Sequence, residues 1–213
     1  LGAPSSRVET IGNLKFDIEF PEYSQEEKTN FKEFLGIGNR QVFTAGSSRS
    51  GEYETLLNVF KNLEDTVLIL VPRHIDSYSY KKDSEINEKN IEKTDIIIID
   101  IIGILRKVYS ITDIAFVGGT LVDIGGHSLL EPLFYGKIPI FGPYLQNVKE
   151  ISQEIIKYHI GYKVHNTQEF LDAIREVKKN QENSREIIDK LFKENRNTAD
   201  KIIPIGLEFP KRA

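Results

Sequence analysis

Ile114-Ala115-Phe116-Val117-Gly118-Gly119-Thr120-Leu121-Val122-Asp123-Ile124-Gly125-Gly126-His127-Ser128-Leu129-Leu130-Glu131-Pro132 is the stretch that decides the fold. Its first four residues are continuously apolar, the pattern of a strand covered on both faces. Two glycine pairs then bracket a short loop, and a helix is expected to begin around His127 or Ser128. Strand, glycine loop and helix start, in that order, form the repeating unit of an open parallel α/β sheet, which takes its ligands at the carboxyl ends of its strands. Paired glycines let bare backbone come close to a ligand, and the free N–H groups of a helix start point at an anion. His127 and Glu131 are four apart and share a face if both are helical. A carboxylate at that place suits a ribose, because its two oxygens can accept from both hydroxyls of a cis diol. The plainer alternative is a glycine-rich connection followed by a first-turn glutamate that the helix dipole favours.

The same pattern recurs on both sides. Gln41-Val42-Phe43-Thr44-Ala45, Thr66-Val67-Leu68-Ile69-Leu70-Val71, Ile96-Ile97-Ile98-Ile99, Ile138-Pro139-Ile140-Phe141 and the short Gly161-Tyr162-Lys163-Val164 all read as strands. They are apolar throughout rather than alternating, as expected of a sheet buried between helices. Helical periodicity fills the gaps. Residues 52–63 place Tyr53, Leu56, Leu57 and Phe60 on one face, and residues 146–159 do so with Val148, Ile151, Ile155 and Ile156. Thr167 is expected to cap a helix over 168–179, with Phe170, Leu171, Ile174 and Val177 inward, and a further helix is expected over 183–195. The fold class that follows is α/β, a Rossmann-like doubly wound parallel sheet. The chain reads as a single domain over 1–213, with residues 1–20 a leading linker or strand and 196–213 a peripheral tail. The polar run 77–94 reads as a solvated surface segment.

Two other loops at expected strand ends carry chemistry. Gly46-Ser47-Ser48-Arg49-Ser50-Gly51-Glu52 leads into a helix, and reads equally as a capped turn or as a phosphate or sugar contact made by backbone amides, the serine hydroxyls, Ser47 and Ser48 among them, and Arg49. Its spacing is not that of a Walker loop. In Pro72-Arg73-His74, Arg73 reads as a bidentate grip on a phosphate or carboxylate with His74 donating, or as a surface pair. Composition narrows the classes further. With 213 residues, 39% hydrophobic, 28% charged and a net charge of −4, the chain reads as globular and lacks the basic field of a nucleic-acid binder. It has no cysteine, hence no disulfide and no thiolate zinc site. Its four histidines have no metal-ligand spacing, and neither an Asp-x-Asp pair nor a Gly-x-Ser-x-Gly elbow occurs, so no metal is expected. His159 and His165 read as structural or exposed. No run approaches the roughly 20 apolar residues of a membrane span. The chain opens Leu1-Gly2-Ala3-Pro4 and contains no methionine, and is expected to be part of a longer protein.

These motifs, taken in order, resemble the C-terminal half of the bacterial 3-deoxy-D-manno-octulosonic acid (Kdo) transferases over about residues 10–180. The carriers are Gly12-Asn13-Leu14-Lys15-Phe16-Asp17, Ala45-Gly46-Ser47 with Gly51-Glu52, Val71-Pro72-Arg73-His74, Asp100 and Gly103 with Leu105 and Tyr109, the long glycine block and Phe141-Gly142-Pro143. The sequence departs from the family at Ser128, where asparagine is common, at Ile104, where glutamate is common, and in the filling Ser48-Arg49-Ser50. The resemblance implies the C-terminal, donor-binding half of a two-domain GT-B glycosyltransferase of lipopolysaccharide and lipid A biosynthesis. Its donor would be CMP-Kdo, its acceptor lipid A precursor, and its reaction an inverting displacement without metal or cofactor. The acceptor site, the general base and the membrane contact would lie in an upstream N-terminal domain, on the cytoplasmic side of the inner membrane, so no catalytic residue is expected in this chain, which alone would be soluble and inactive. The donor-binding residues implied are Ser47, Ser48, Arg73, His74, Gly118, Gly119, Gly125, Gly126, His127, Ser128 and Glu131. The amides of Gly125 and Gly126, with His127 and Ser128, would hold the phosphate. Two alternatives stand beside it: a related GT-B transferase or epimerase using another nucleotide sugar, and a non-catalytic nucleotide-binding module.

Overall fold

The structure, a computed structural model, describes residues 13–73, 95–200 and 202. His74, the polar run 77–94 and the tail 204–213 lie outside the described residues. Six strands form one parallel sheet: β1 (Gln41–Ser48), β2 (Thr66–Pro72), β3 (Ile96–Ile98), β4 (Ile114–Val117), β5 (Pro139–Phe141) and β6 (Tyr162–Lys163). Their spatial order is β3-β2-β1-β4-β5-β6, with every neighbouring pair parallel. The chain winds outward from β1 to β3, returns to the middle, and winds the other way from β4 to β6. The reversal leaves a crevice between the carboxyl ends of β1 and β4, where this topology binds ligands. β1 runs further than expected. Gly46, Ser47 and Ser48 continue the strand, with a register shift between Gly46 and Ser48 where Ser47 takes a positive φ of 54°. The residues expected in a loop are thereby held by the sheet.

Helices cover both faces: α1 (Gln25–Phe34), α2 (Tyr53–Phe60), α3 (Leu105–Ile111), α4 (Leu130–Phe134), α5 (Lys149–Lys157) and α6 (Thr167–Asn195). Successive strand residues point to opposite faces, and β1 shows the result. Phe43 and Ala45 pack with Leu56 and Val59 of α2 and Phe170 and Ile174 of α6. Val42 faces the other way, with Phe31 of α1 and Val108 of α3. Phe43 is edge-on to Phe170, ring centroids 5.7 Å apart. Each such fully buried side chain contributes roughly 1.5–3 kcal/mol.

Besides α4, which starts only at Leu130, three helices differ from expectation. α1 and α3 have no counterpart in the sequence reading. α1 buries only Phe31 but is closed by a capping box, Ser24 Oγ accepting from Glu27 N at 3.2 Å and Ser24 N donating to Glu27 Oε2 at 2.7 Å. The two expected helices at 168–179 and 183–195 are one, α6, whose cap is Asn166 rather than Thr167; Asn166 Oδ1 accepts from Glu169 N at 2.9 Å. No glycine or proline interrupts residues 180–183, and two polar side chains there bond back to the body of the protein: Asn180 donates to the Tyr162 hydroxyl and Gln181 to the Gly136 carbonyl. The far end of α6 returns to the start of the described chain. Phe192 packs edge-on to Phe16, and the Asp17 carboxylate accepts from the amides of Thr198 and Ala199 at 3.2 and 2.7 Å. The described parts of the two segments expected at the periphery are thus tied together. Among the described residues no helix is long and apolar enough to cross a membrane.

Candidate functional site

A cavity of about 490 Å³ opens at the carboxyl edge of the sheet. Four chain segments converge on it. Ser47 comes from the end of β1, Arg73 from beyond β2, Leu105 and Arg106 from the first turn of α3, and His127 and Ser128 from the connection between β4 and α4 with Glu131 from the first turn of α4. Five of the residues singled out in the sequence therefore meet there: Ser47, Arg73, His127, Ser128 and Glu131. Ser48 does not line it; that residue is buried, and its carbonyl accepts from the Arg73 amide at 3.1 Å, which fixes the end of β2 against β1.

Charge in the cavity is uneven. Among the described residues Glu131 is the one carboxylate on its wall, and two guanidinium groups, Arg73 and Arg106, share that wall. Burial pushes the Glu131 carboxyl above its ordinary value, while Arg106 and then Arg73 pull it partly back. Arg106 Nε lies 3.8 Å from Glu131 Oε1, and the same guanidinium sits over the Phe20 ring, 5.0 Å from its centroid. Below them Tyr109 is fully buried, its hydroxyl pushed well above the usual phenol range by burial and, in second place, by Glu131. Two cations against one carboxylate leave a net positive site, matched to an anionic group such as a phosphate. Arg106 was missed in the sequence, where it sits beside Lys107 in an otherwise largely apolar stretch; the neighbouring Leu105 and Tyr109 were noted only through the resemblance.

The glycine block is built differently from expectation. α4 starts at Leu130, so His127 and Ser128 are not helical, and His127 and Glu131 reach the cavity from a loop and a helix rather than from one helix face. Most of the backbone amides expected to face a ligand are already committed. Gly118 N donates to Gly46 O at 2.8 Å and Gly126 N to Gly119 O at 2.8 Å. The amides of Gly119, Thr120 and Leu121 all donate to the Glu52 carboxylate, each at 3.0 Å. The glycines instead serve close packing. A Cβ on Gly118 would stand 2.5 Å from the Ser47 carbonyl oxygen and from Ser48 Cα, so only glycine lets the β4 end lie against β1 there. Gly119, at a φ of 68°, leaves the space in which the His127 ring lies. His127 Nε2 is 3.4 Å from Arg49 Nη2; a guanidinium only donates, so this contact makes Nε2 the acceptor.

Glu52 had no role in the sequence beyond its place in a matched motif. It is fully buried, its Oε2 accepts from Arg49 N at 2.8 Å as well as from Gly119 N, and its Oε1 accepts from Thr120 N and Leu121 N. Burial raises its pKa and the four N–H bonds oppose that rise. Elsewhere, His165 is exposed and bonded to Glu169 through Nδ1 at 2.8 Å, away from the cavity. Among the described residues no group of three or more His, Cys, Asp or Glu side chains could hold a metal ion.

No family model matches the chain. Curated proteins do. It is 50% identical to a bifunctional glycosyltransferase/methyltransferase of Fusobacterium nucleatum, over 95% of this chain and 34% of the relative. It is 36% identical to the 3-deoxy-D-manno-octulosonic acid transferase of Aquifex aeolicus, over 87% of this chain and 62% of the relative. With the same transferase of Haemophilus influenzae it shares 30% identity, over 100% of this chain and 54% of the relative. The chain thus spans between about a third and three-fifths of the length of these relatives. Among solved structures, the C-terminal CMP-Kdo binding domain of WaaA from Acinetobacter baumannii superposes with a TM-score of 0.57 at 21% identity, covering 88% of this chain and 99% of that one. HepE of Anabaena, solved with UDP-glucose, gives a TM-score of 0.60 at 14% identity, covering 85% and 54%. By sequence the chain is a relative of the Kdo transferases, and its six-stranded parallel sheet has the fold of a GT-B glycosyltransferase domain.

Proposed function

We propose that this chain is the donor-binding part of a glycosyltransferase that moves Kdo from CMP-Kdo to lipid A precursor. The observation that carries the reading is the cavity at the β1/β4 crevice, where Arg73 and Arg106 face a half-buried Glu131. CMP-Kdo joins the anomeric carbon of the sugar to the phosphate of CMP. In the proposed displacement an acceptor hydroxyl forms a bond to that carbon from the opposite face. The carbon–oxygen bond to the phosphate breaks, and CMP departs with the electron pair. Arg73 and Arg106 meet the charge gathering on the departing phosphate with preorganised donors, so the reading needs no metal. Ser47, His127 and Ser128 offer further donors to the phosphate, and Glu131 accepts from the ribose hydroxyls. The acceptor site, the base that takes the acceptor proton and the contact with the inner membrane belong, in this reading, to other parts of the longer protein. The chain alone then binds CMP without turnover, because base and acceptor are not held beside the donor.

One observation bears on the setting. The 50%-identical relative is named as bifunctional, and the chain covers 34% of it. The match to proteins named as Kdo transferases over 87–100% of this chain supports the glycosyltransferase portion as its counterpart. Calorimetric titration with CMP, UDP and ADP tests the donor reading. CMP is expected to bind and the other two to bind at least about tenfold more weakly. Binding of UDP without CMP would transfer the reading to another nucleotide sugar, such as the UDP-glucose bound in the HepE structure.

A further inference from the structure

We propose that Glu52 is a positioning residue, whose buried carboxylate clamps the amides of Gly119, Thr120 and Leu121 and thereby sets the loop that walls the donor cavity. That the cavity takes a donor rests on the function proposed above; the clamp itself rests on geometry. Glu52 is fully buried at the start of α2, and the amides it holds are 67 to 69 residues further along. Its two oxygens accept four backbone N–H bonds at 2.8–3.0 Å, two each, the fourth from Arg49 in its own loop. The carboxylate therefore joins the β1–α2 loop to the β4–α4 loop across the crevice.

The clamped segment leads directly to cavity residues. The Gly119 carbonyl accepts from the Gly126 amide at 2.8 Å, and the His127 ring lies where a Gly119 side chain would be. Thr120 is held from its other side as well: Gly142 N donates to Thr120 Oγ1 at 2.8 Å, and Tyr144 N donates to the Thr120 carbonyl at 3.0 Å. Only an acceptor with two oxygens satisfies this set. A glutamine would turn an NH₂ toward amides that can only donate, freeing the loop on that side.

Amide hydrogen exchange and CMP titration on the native chain, Glu52→Gln and Glu52→Asp test the clamp, with Val59→Ala as a control at a buried α2 position away from the cavity. In the native chain the Gly119, Thr120 and Leu121 amides are expected to be protected. In Glu52→Gln they should exchange at least about tenfold faster, and the CMP Kd should rise at least about tenfold, while Val59→Ala lowers the melting temperature and leaves the CMP Kd unchanged. Glu52→Asp, which keeps the charge on a shorter arm, should also weaken CMP, and decides the matter if Glu52→Gln does not fold. Native amides exchanging as fast as an exposed loop, or a folded Glu52 variant binding CMP as tightly as the native chain, would overturn the proposal. If the native chain binds no CMP while its protected amides lose protection in Glu52→Gln, the donor reading falls and the clamp stands.

Discussion

Glu131 carries opposing demands, and they can be separated by two substitutions. Burial holds its carboxyl above the ordinary value even with Arg106 and Arg73 nearby, so the charged form costs stability in the empty protein. For a carboxyl raised on folding, the stabilising contribution is complete below the unfolded value, near pH 4.3, and is lost as pH rises through the folded one. Glu131→Gln, neutral throughout, should therefore melt higher than the native chain at neutral pH, and the difference should vanish as the pH is taken below about 4. Thermal melts at the two pH values measure this. The same position should lose function: Glu131→Ala is expected to weaken CMP by roughly 1–3 kcal/mol, about 5- to 150-fold in Kd, by titration. A gain in stability beside a loss in binding is the signature of a group kept for its ligand. Gly118 makes the opposite case. Gly118→Ala would drive a Cβ into the backbone of Ser47 and Ser48, and an overpacked contact of this kind costs about 1–3 kcal/mol, readable as a lowered denaturant midpoint.

At the scale of elements, the strands could be read from the sequence because burial on both faces leaves an unmistakable apolar run. Val67, Leu68, Ile69 and Leu70 are all buried, as a parallel central strand requires. Helices declared by a broad apolar stripe, α2, α5 and the first half of α6, were legible for the related reason of period. α1 was not, since it offers the core little beyond Phe31 and owes its start to a local capping box. The junction within α6 was misread because a polar stretch resembles a break, although only glycine or proline enforces one. In the site, the residue types were legible at Arg73, His127 and Glu131, since each lies in the segment that follows an apolar strand run. Arg106 and the bonds of Glu52 were not, because partners brought together by the sheet leave no spacing in the sequence. The start of α6 supplies its own test. Asn166→Ala removes the acceptor for the Glu169 amide and should cost about 1 kcal/mol, lowering the melting temperature of a chain of this size by about 2–4 °C.

For the molecule as a whole, the crevice lies between the two wings of the sheet, so a ligand there touches both. Ser47 and Arg73 belong to the β1–β3 wing, and His127, Ser128 and Glu131 to the β4–β6 wing. A bound nucleotide that bridges them should stabilise the entire fold rather than one loop, because it binds the folded state alone. At a free concentration a hundredfold above its Kd, such a ligand adds about 2.7 kcal/mol. For a domain of this length each kcal/mol raises the melting temperature by about 2–4 °C, so saturating CMP should raise it by roughly 5–11 °C in a single cooperative transition. ADP at the same concentration should move it far less. In Glu131→Ala the CMP term at that fixed concentration should fall from about 2.7 to between about 1.8 and about 0.3 kcal/mol for a roughly 5- to 150-fold loss of affinity, and the melting shift should shrink in proportion. A CMP shift that survived intact in Glu131→Ala and also in Arg73→Ala would place the nucleotide elsewhere on the molecule and detach this crevice from donor binding.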